Sequence, residues 1–130
     1  DEELVHKVEL EELQRPDFLS KLFNRPRSLQ YREPLVFLNF SAYNPPPNAN
    51  RLAGDLLYLH MKSLEGEEHH ITGSVRGFFL NCSTLHHFEA TMNPIHQQCY
   101  SSLLDLLFAL SPQFKQVFAE NAEKVVLTEV

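Results

Sequence analysis

The stretch from Asn44 to Thr84 constrains the fold more than any other part of this chain. It opens with Pro45, Pro46 and Pro47, which cannot donate to a β-ladder and favour an extended polyproline path. Asp55 to Ser63 then alternates in steps of two. Leu57, Leu59 and Met61 point one way, and Leu56, Tyr58 and His60 point the other. The acidic run Leu64-Glu65-Gly66-Glu67-Glu68 reads as a turn, with Gly66 where a positive φ is expected. His69 to Ser74 is a returning strand of weaker pattern. Gly77 opens a further pass through Phe78, Phe79 and Leu80. This order predicts an antiparallel meander.

Flanking segments extend the pattern. Leu35 to Ala42 is a strand candidate, with Leu35, Phe37 and Asn39 on one face and Val36, Leu38 and Phe40 on the other. Apolar residues on both faces predict a central, covered strand. The loop after the prolines is expected to run to about Ala53. Upstream, Pro16 suits a helix start. Asp17 to Asn24 reads as a short helix with Phe18, Leu19, Leu22 and Phe23 as its apolar stripe, stopped by Pro26. Arg25, Arg27 and Arg32 form a basic patch in the linker that follows. Residues Asp1 to Leu13 are acidic with interspersed Leu and Val, a pattern that fits a helix or a strand. From Gln97 the period becomes helical, with Tyr100, Leu103, Leu104, Leu107 and Leu110 recurring at three and four residues. Leu106 and Phe108 widen that face. Ser111-Pro112 is a restart signal, Ser as N-cap and Pro at the first helical position. Phe114, Val117 and Phe118 continue a second helix, and the pattern fades from Glu120 to Val130. The expected class is α+β: an antiparallel meander packed against C-terminal helices, with a short N-terminal helix.

Composition sets outer limits on function. A chain of 130 residues fits one domain, and its 43% hydrophobic content supports a core. A formal charge of -6 argues against gripping a phosphate backbone by bulk electrostatics. No apolar run approaches the roughly 20 residues of a membrane helix. The opening Asp1-Glu2-Glu3 has the wrong charge for a secretory leader, and no initiator Met is present, so the chain is expected to be a piece of a longer protein. Cys82 and Cys99 do not make a disulfide framework, and a reducing compartment is the simpler expectation. The sequons at Asn39 and Asn81 fall in or beside predicted strands and carry no weight in a cytosolic protein.

Candidate chemistry is sparse. Seven histidines include the adjacent pairs His69-His70 and His86-His87. Adjacent strand residues face opposite sides, so neither pair is suited to chelate one ion. His60 and one of the hairpin pair can meet across strands, where histidines are usually surface residues. Cys82 lies near His86 and His87 in sequence, yet no oxyanion motif or supporting carboxylate arrangement accompanies it. The scattered glycines make no phosphate-cradling loop. No catalytic, metal or cofactor residue is therefore expected. The prolines can dock in an aromatic groove, but between two strands a rigid loop is the better reading. Leu103, Leu104 and Leu107 are expected to cover the sheet. Phe114, Val117, Phe118 and Val126 are the candidates for contact with a partner.

The ordered series Asn44-Pro45-Pro46-Pro47, Gly54-Asp55-Leu56, Arg76-Gly77-Phe78, Asn81 with Ser83-Thr84, and Ser102 to Leu107 through Ser111-Pro112 resembles the N-terminal region of the clustered mitochondria (CLU) family. The resemblance spans about Leu35 to Phe118. It sets residues 1–34 apart as a divergent lead-in or the end of a preceding ubiquitin-like region, and makes 35–130 the domain. It implies a large cytoplasmic protein that keeps mitochondria dispersed and associates with messenger RNAs and with ribosomal or initiation-factor machinery. In that family RNA contact is credited to more C-terminal regions. The same region is similar to the small glycogen synthase kinase-3 beta interaction protein. The match here is Tyr100 with Ser101 or Ser102, Leu103-Leu104-Asp105, then Leu110-Ser111-Pro112 and Phe118. In that protein leucines of the C-terminal helix bind a kinase groove. This chain has Ala122, Glu123 and Val126 at the corresponding places, where the amphipathic face is largely lost. The resemblance implies an α+β fold, no catalytic residues and protein partners: ribosomal or initiation-factor components, or a kinase. Direct nucleic-acid binding by this segment and membrane insertion are not expected.

Overall fold

The computed structural model describes residues 32–129, with side chains through Glu123. The helix expected at Asp17 to Asn24 and the acidic lead-in lie outside the described residues. Within them the order is β1 (Leu35–Phe40), α1 (Asn48–Leu52), β2 (Asp55–Ser63), β3 (Glu68–Ser74), β4 (Gly77–Leu80), α2 (Leu103–Leu110) and α3 (Pro112–Glu129). The strands form one antiparallel sheet in the order β1-β2-β3-β4, and the fold is α+β as the pattern predicts.

Turn chemistry sets the register. Gly66 has φ 89°, which lets its N–H reach the Ser63 carbonyl while the Ser63 N–H reaches Glu67. His60 then stands opposite His70, and Leu59 opposite Ile71. Period-2 alternation sorts the side chains. Leu57, Leu59, Met61, Ile71 and Phe78 face α2 and α3 and pack with Leu103, Leu106, Leu107 and Phe114. Burying each such side chain stabilises the fold by roughly 1.5–3 kcal/mol relative to exposure.

β1 is not central. It stands at one edge of the described sheet, and Val36 is 57% exposed. A bulge between Leu35 and Phe37 sets two steps of β1 against one of β2. Leu35 and Leu38 therefore both reach the helical core, although an unbroken strand separates their faces. Phe37 goes to the other face, edge-on to His60 at 4.9 Å between ring centroids.

The first C-terminal helix also starts later than expected, at Leu103 rather than Gln97. Ser102 is extended, and its Oγ accepts the Asp105 N–H at 3.2 Å, an N-cap that fixes the start. Tyr100 precedes the helix and exchanges backbone hydrogen bonds with Phe78 at 2.7 and 2.8 Å, covering the outer edge of β4. The shorter helix turns a different stripe inward: Leu103, Leu106 and Leu107 are buried, while Leu104 is only half-buried against the core. The loop after the prolines contains the single turn α1, which lacks a side-chain cap. Ser111 caps α3 as expected, its Oγ accepting the Phe114 N–H at 3.0 Å.

Candidate functional site

The face of the sheet turned away from the helices carries Tyr58, Thr72 and Phe79, all buried. An irregular segment, residues 81–102, crosses over them. Thr72 Oγ1 donates to the Ala90 carbonyl at 2.8 Å and accepts from Asn81 Nδ2 at 3.1 Å. Two of the motifs singled out in sequence converge on Tyr58. Asn44 Oδ1 accepts the Tyr58 N–H at 2.8 Å, and Asn44 Nδ2 donates to the Tyr58 carbonyl at 2.7 Å. The Tyr58 hydroxyl donates to Asp55 at 2.7 Å and accepts from Asn50 at 2.9 Å. Burial, then the bond to Asp55, pushes this phenol up to about 12. The Asn-Pro-Pro-Pro and Gly54-Asp55 signatures thus brace a buried tyrosine, with Pro46 buried and Pro45 and Pro47 exposed.

Beyond Tyr58 this face opens into a groove of about 460 Å³ lined by Ser41, Tyr43, His60, Glu68, His70, Ser83, Thr84, Leu85 and Phe88, among others. The registered pair His60 and His70 stack with parallel rings at 4.4 Å. His60 Nε2 lies 3.3 Å from Glu68 Oε1. Phe88 stacks on Tyr43 at 4.2 Å and meets His70 edge-on at 6.5 Å. Burial, then the neighbouring His60, pushes His70 below its ordinary range, so its imidazole is neutral at pH 7. Among the described residues the buried His70 Nδ1 has no hydrogen-bond partner.

The helical side offers a second surface. Phe108, Phe114 and Phe118 form a ring cluster with centroids 5.5–5.6 Å apart. Within it Phe114 and Val117 are buried, so these two candidates for partner contact serve the core instead. They face inward because Ser111 fixes where α3 begins and so which stripe meets α2. Phe118 is half-buried and stays accessible, and the Val126 side chain lies outside the described ones. Arg32 is tied to α3 through Asn121, whose Nδ2 donates to the Arg32 carbonyl at 2.7 Å.

The remaining candidates scatter. Cys82 and Cys99 are free thiols; Cys82 donates to the Met92 carbonyl and Cys99 to that of Arg76. His86 and His87 are exposed. Among the described residues no group of three His, Cys, Asp or Glu side chains is placed to hold a metal, and no helix is long and apolar enough to cross a membrane. The groove was only half visible in sequence. Alternation places His60 opposite the leucine face, but its partner depends on a register that the turn sets.

The GSKIP domain family model matches residues 48–125. The chain is 41% identical over 92 residues to a clustered mitochondria protein homolog of Culex quinquefasciatus, covering 71% of this chain and 7% of that protein. It is 52% identical over 79 residues to the homolog of Malassezia globosa, covering 61% and 6%. Against the homolog of Caenorhabditis elegans it is 38% identical over 81 residues, covering 62% and 6%. The chain thus spans about 6–7% of the length of these curated relatives. No solved structure matches.

Proposed function

The chain belongs to the GSKIP domain family, and on that footing we propose that it is a non-catalytic protein-interaction module of a clustered-mitochondria-type cytoplasmic protein. The observation that carries this reading is the similarity to clustered mitochondria homologs at 38–52% identity, each matched over a small part of its length. The module comprises residues 35–130, and residues 1–34 are a lead-in or the end of a preceding ubiquitin-like region. Its work is to hold translation or messenger-RNA complexes near mitochondria through protein contacts, while other parts of the parent chain contact RNA. Proximity labelling with the parent protein, with and without residues 35–130, tests this. Loss of ribosomal, initiation-factor or outer-membrane neighbours on deletion is expected. An unchanged neighbour set rules the module out as the connecting element.

A second reading, a kinase-binding module, is favoured by the family itself. Its surface would be α3 around Phe118, Ala119, Ala122 and Glu123, of which the last three are exposed. Phe118→Glu with Ala122→Glu should abolish kinase capture if this reading is right. Full capture by a folded double variant rules that surface out.

A further inference from the structure

The groove beside His60 and His70 has the chemistry of a binding site, and the charges lining it decide what it takes. Among the described residues neither Lys nor Arg lines it. Ser83 Oγ already donates to the Glu89 carbonyl at 3.3 Å and accepts the Glu89 N–H at 2.9 Å, so it has no donor for an anion. What the groove presents besides hydroxyl-bearing side chains is the Glu68 carboxylate, the stacked imidazoles of His60 and His70, and the stacked rings of Tyr43 and Phe88. Its volume, in the range of sites for drug-sized ligands, admits a long side chain together with part of the peptide that carries it. A planar cation satisfies both the carboxylate and the rings, because it pairs with the one and stacks on the others. The formal charge of -6 on the chain draws such a group in.

We propose that this groove binds the guanidinium of an arginine carried by a basic segment of a partner protein. Tyr43 and Phe88 form the stacking wall, Glu68 receives the charge, and the His60–His70 stack forms the floor. The groove alone carries this, whatever partners the parent protein has. A proton dependence is built in. His60 from β2 and Glu68 and His70 from β3 face the ligand, and β1 presents the uncharged Phe37 and Asn39. The crossing segment carries the exposed His86 and His87, and Glu89, which accepts from Thr91. Lys62 stands in register with Glu68 but does not line the groove. Protonating His70, which meets Phe88 edge-on, puts positive charge beside the cation and expels it.

The test is an NMR titration of the intact 130-residue chain with the capped tripeptide acetyl-Gly-Arg-Gly-amide, against the citrulline tripeptide, which keeps the shape without the charge. Saturable shifts of the His60 and His70 ring protons are expected. Binding of the citrulline peptide, binding to Glu68→Gln, and binding once His70 has titrated, followed by its own ring-proton shifts, should each be weaker, by roughly fivefold. Tyr43→Ala supplies an exposed variant that keeps the fold and should weaken binding comparably. Equal shifts from the citrulline peptide, shifts spread over other acidic surfaces, undiminished binding in folded Glu68→Gln, or stronger effects of inorganic phosphate on the same rings would each overturn the proposal.

Discussion

Gly77 shows how much a single residue decides. Its φ of 130° is one that L side chains rarely adopt, and a Cβ there would strike the Tyr100 carbonyl oxygen, with Cys99 Sγ at 3.1 Å. That oxygen cannot retreat, because it accepts the Phe78 N–H that ties residues 81–102 back to β4. Gly77→Ala is therefore expected to cost roughly 2–3 kcal/mol in urea denaturation. Gly66 is the control: its φ is 89° but a Cβ there meets nothing within 4 Å. Gly66→Ala should cost only about 1 kcal/mol. Equal losses would show that crowding at Gly77 contributes nothing. Histidines supply a second prediction at this scale. Burial holds His69 and His70 below their ordinary 6.5. For His70 the nearby His60 adds to this, whereas carboxylates of Glu67 and Glu65 oppose it at His69. Below about pH 6.5 the unfolded chain therefore binds more protons than the folded one. Stability from these groups is full above that pH and falls as pH drops below it, through the lowered folded-state values. His70→Gln should flatten part of that slope, measured as urea midpoints across the window.

Elements are held by a few specific ties. α2 lies on the sheet through Leu103, Leu106 and Leu107, so Leu106→Ala should cost about 2–5 kcal/mol. The half-buried Leu104 should cost clearly less when truncated, and reversed magnitudes in denaturant titrations would contradict the placement of the helix. The start of α3 is anchored twice. Ser111 caps it and also donates to Glu65 Oε1 at 2.6 Å, while Glu65 Oε2 accepts the Gln113 N–H at 3.0 Å. Burial pushes the Glu65 carboxyl up, but the bonds from Ser111 and Gln113 outweigh it and hold it below its usual value. Ser111→Ala should cost about 1–2 kcal/mol. In a double-mutant cycle with Glu65→Gln the two losses should couple rather than add, because the β2–β3 turn and the helix share this tie. Strict additivity would place the turn and the helix in separate units. These elements also show what was legible in sequence. β2, β3, β4 and the Ser111-Pro112 restart follow from period-2 alternation, glycine turns and capping residues, all of which act locally. β1 as an edge strand was not legible, because the bulge at Val36 breaks the alternation without any Gly or Pro to mark it. Nor was the path of residues 81–102, whose hydrogen bonds go to a sheet edge distant in sequence rather than to a local repeat.

At the scale of the molecule, one sheet separates two kinds of surface. Its helical side is apolar and takes in the contact candidates Phe114 and Val117, while Phe118 stays accessible. Its other side is braced at Tyr58 and opens into the imidazole-floored groove. The groove needs side chains from both strands of a hairpin and from a crossing loop, so only the folded register assembles it. Family membership and similarity to clustered mitochondria homologs agree with a domain that works by contact. The measurement that tests this most directly is affinity capture from cytosolic extract with the intact chain as bait and the destabilised Gly77→Ala variant as control, read by quantitative mass spectrometry. The account predicts enrichment of ribosomal, initiation-factor or mitochondrial outer-membrane proteins by the folded chain alone. Enrichment of a kinase without these would select the kinase-binding reading, and no difference between the two baits would contradict a domain that works by contact.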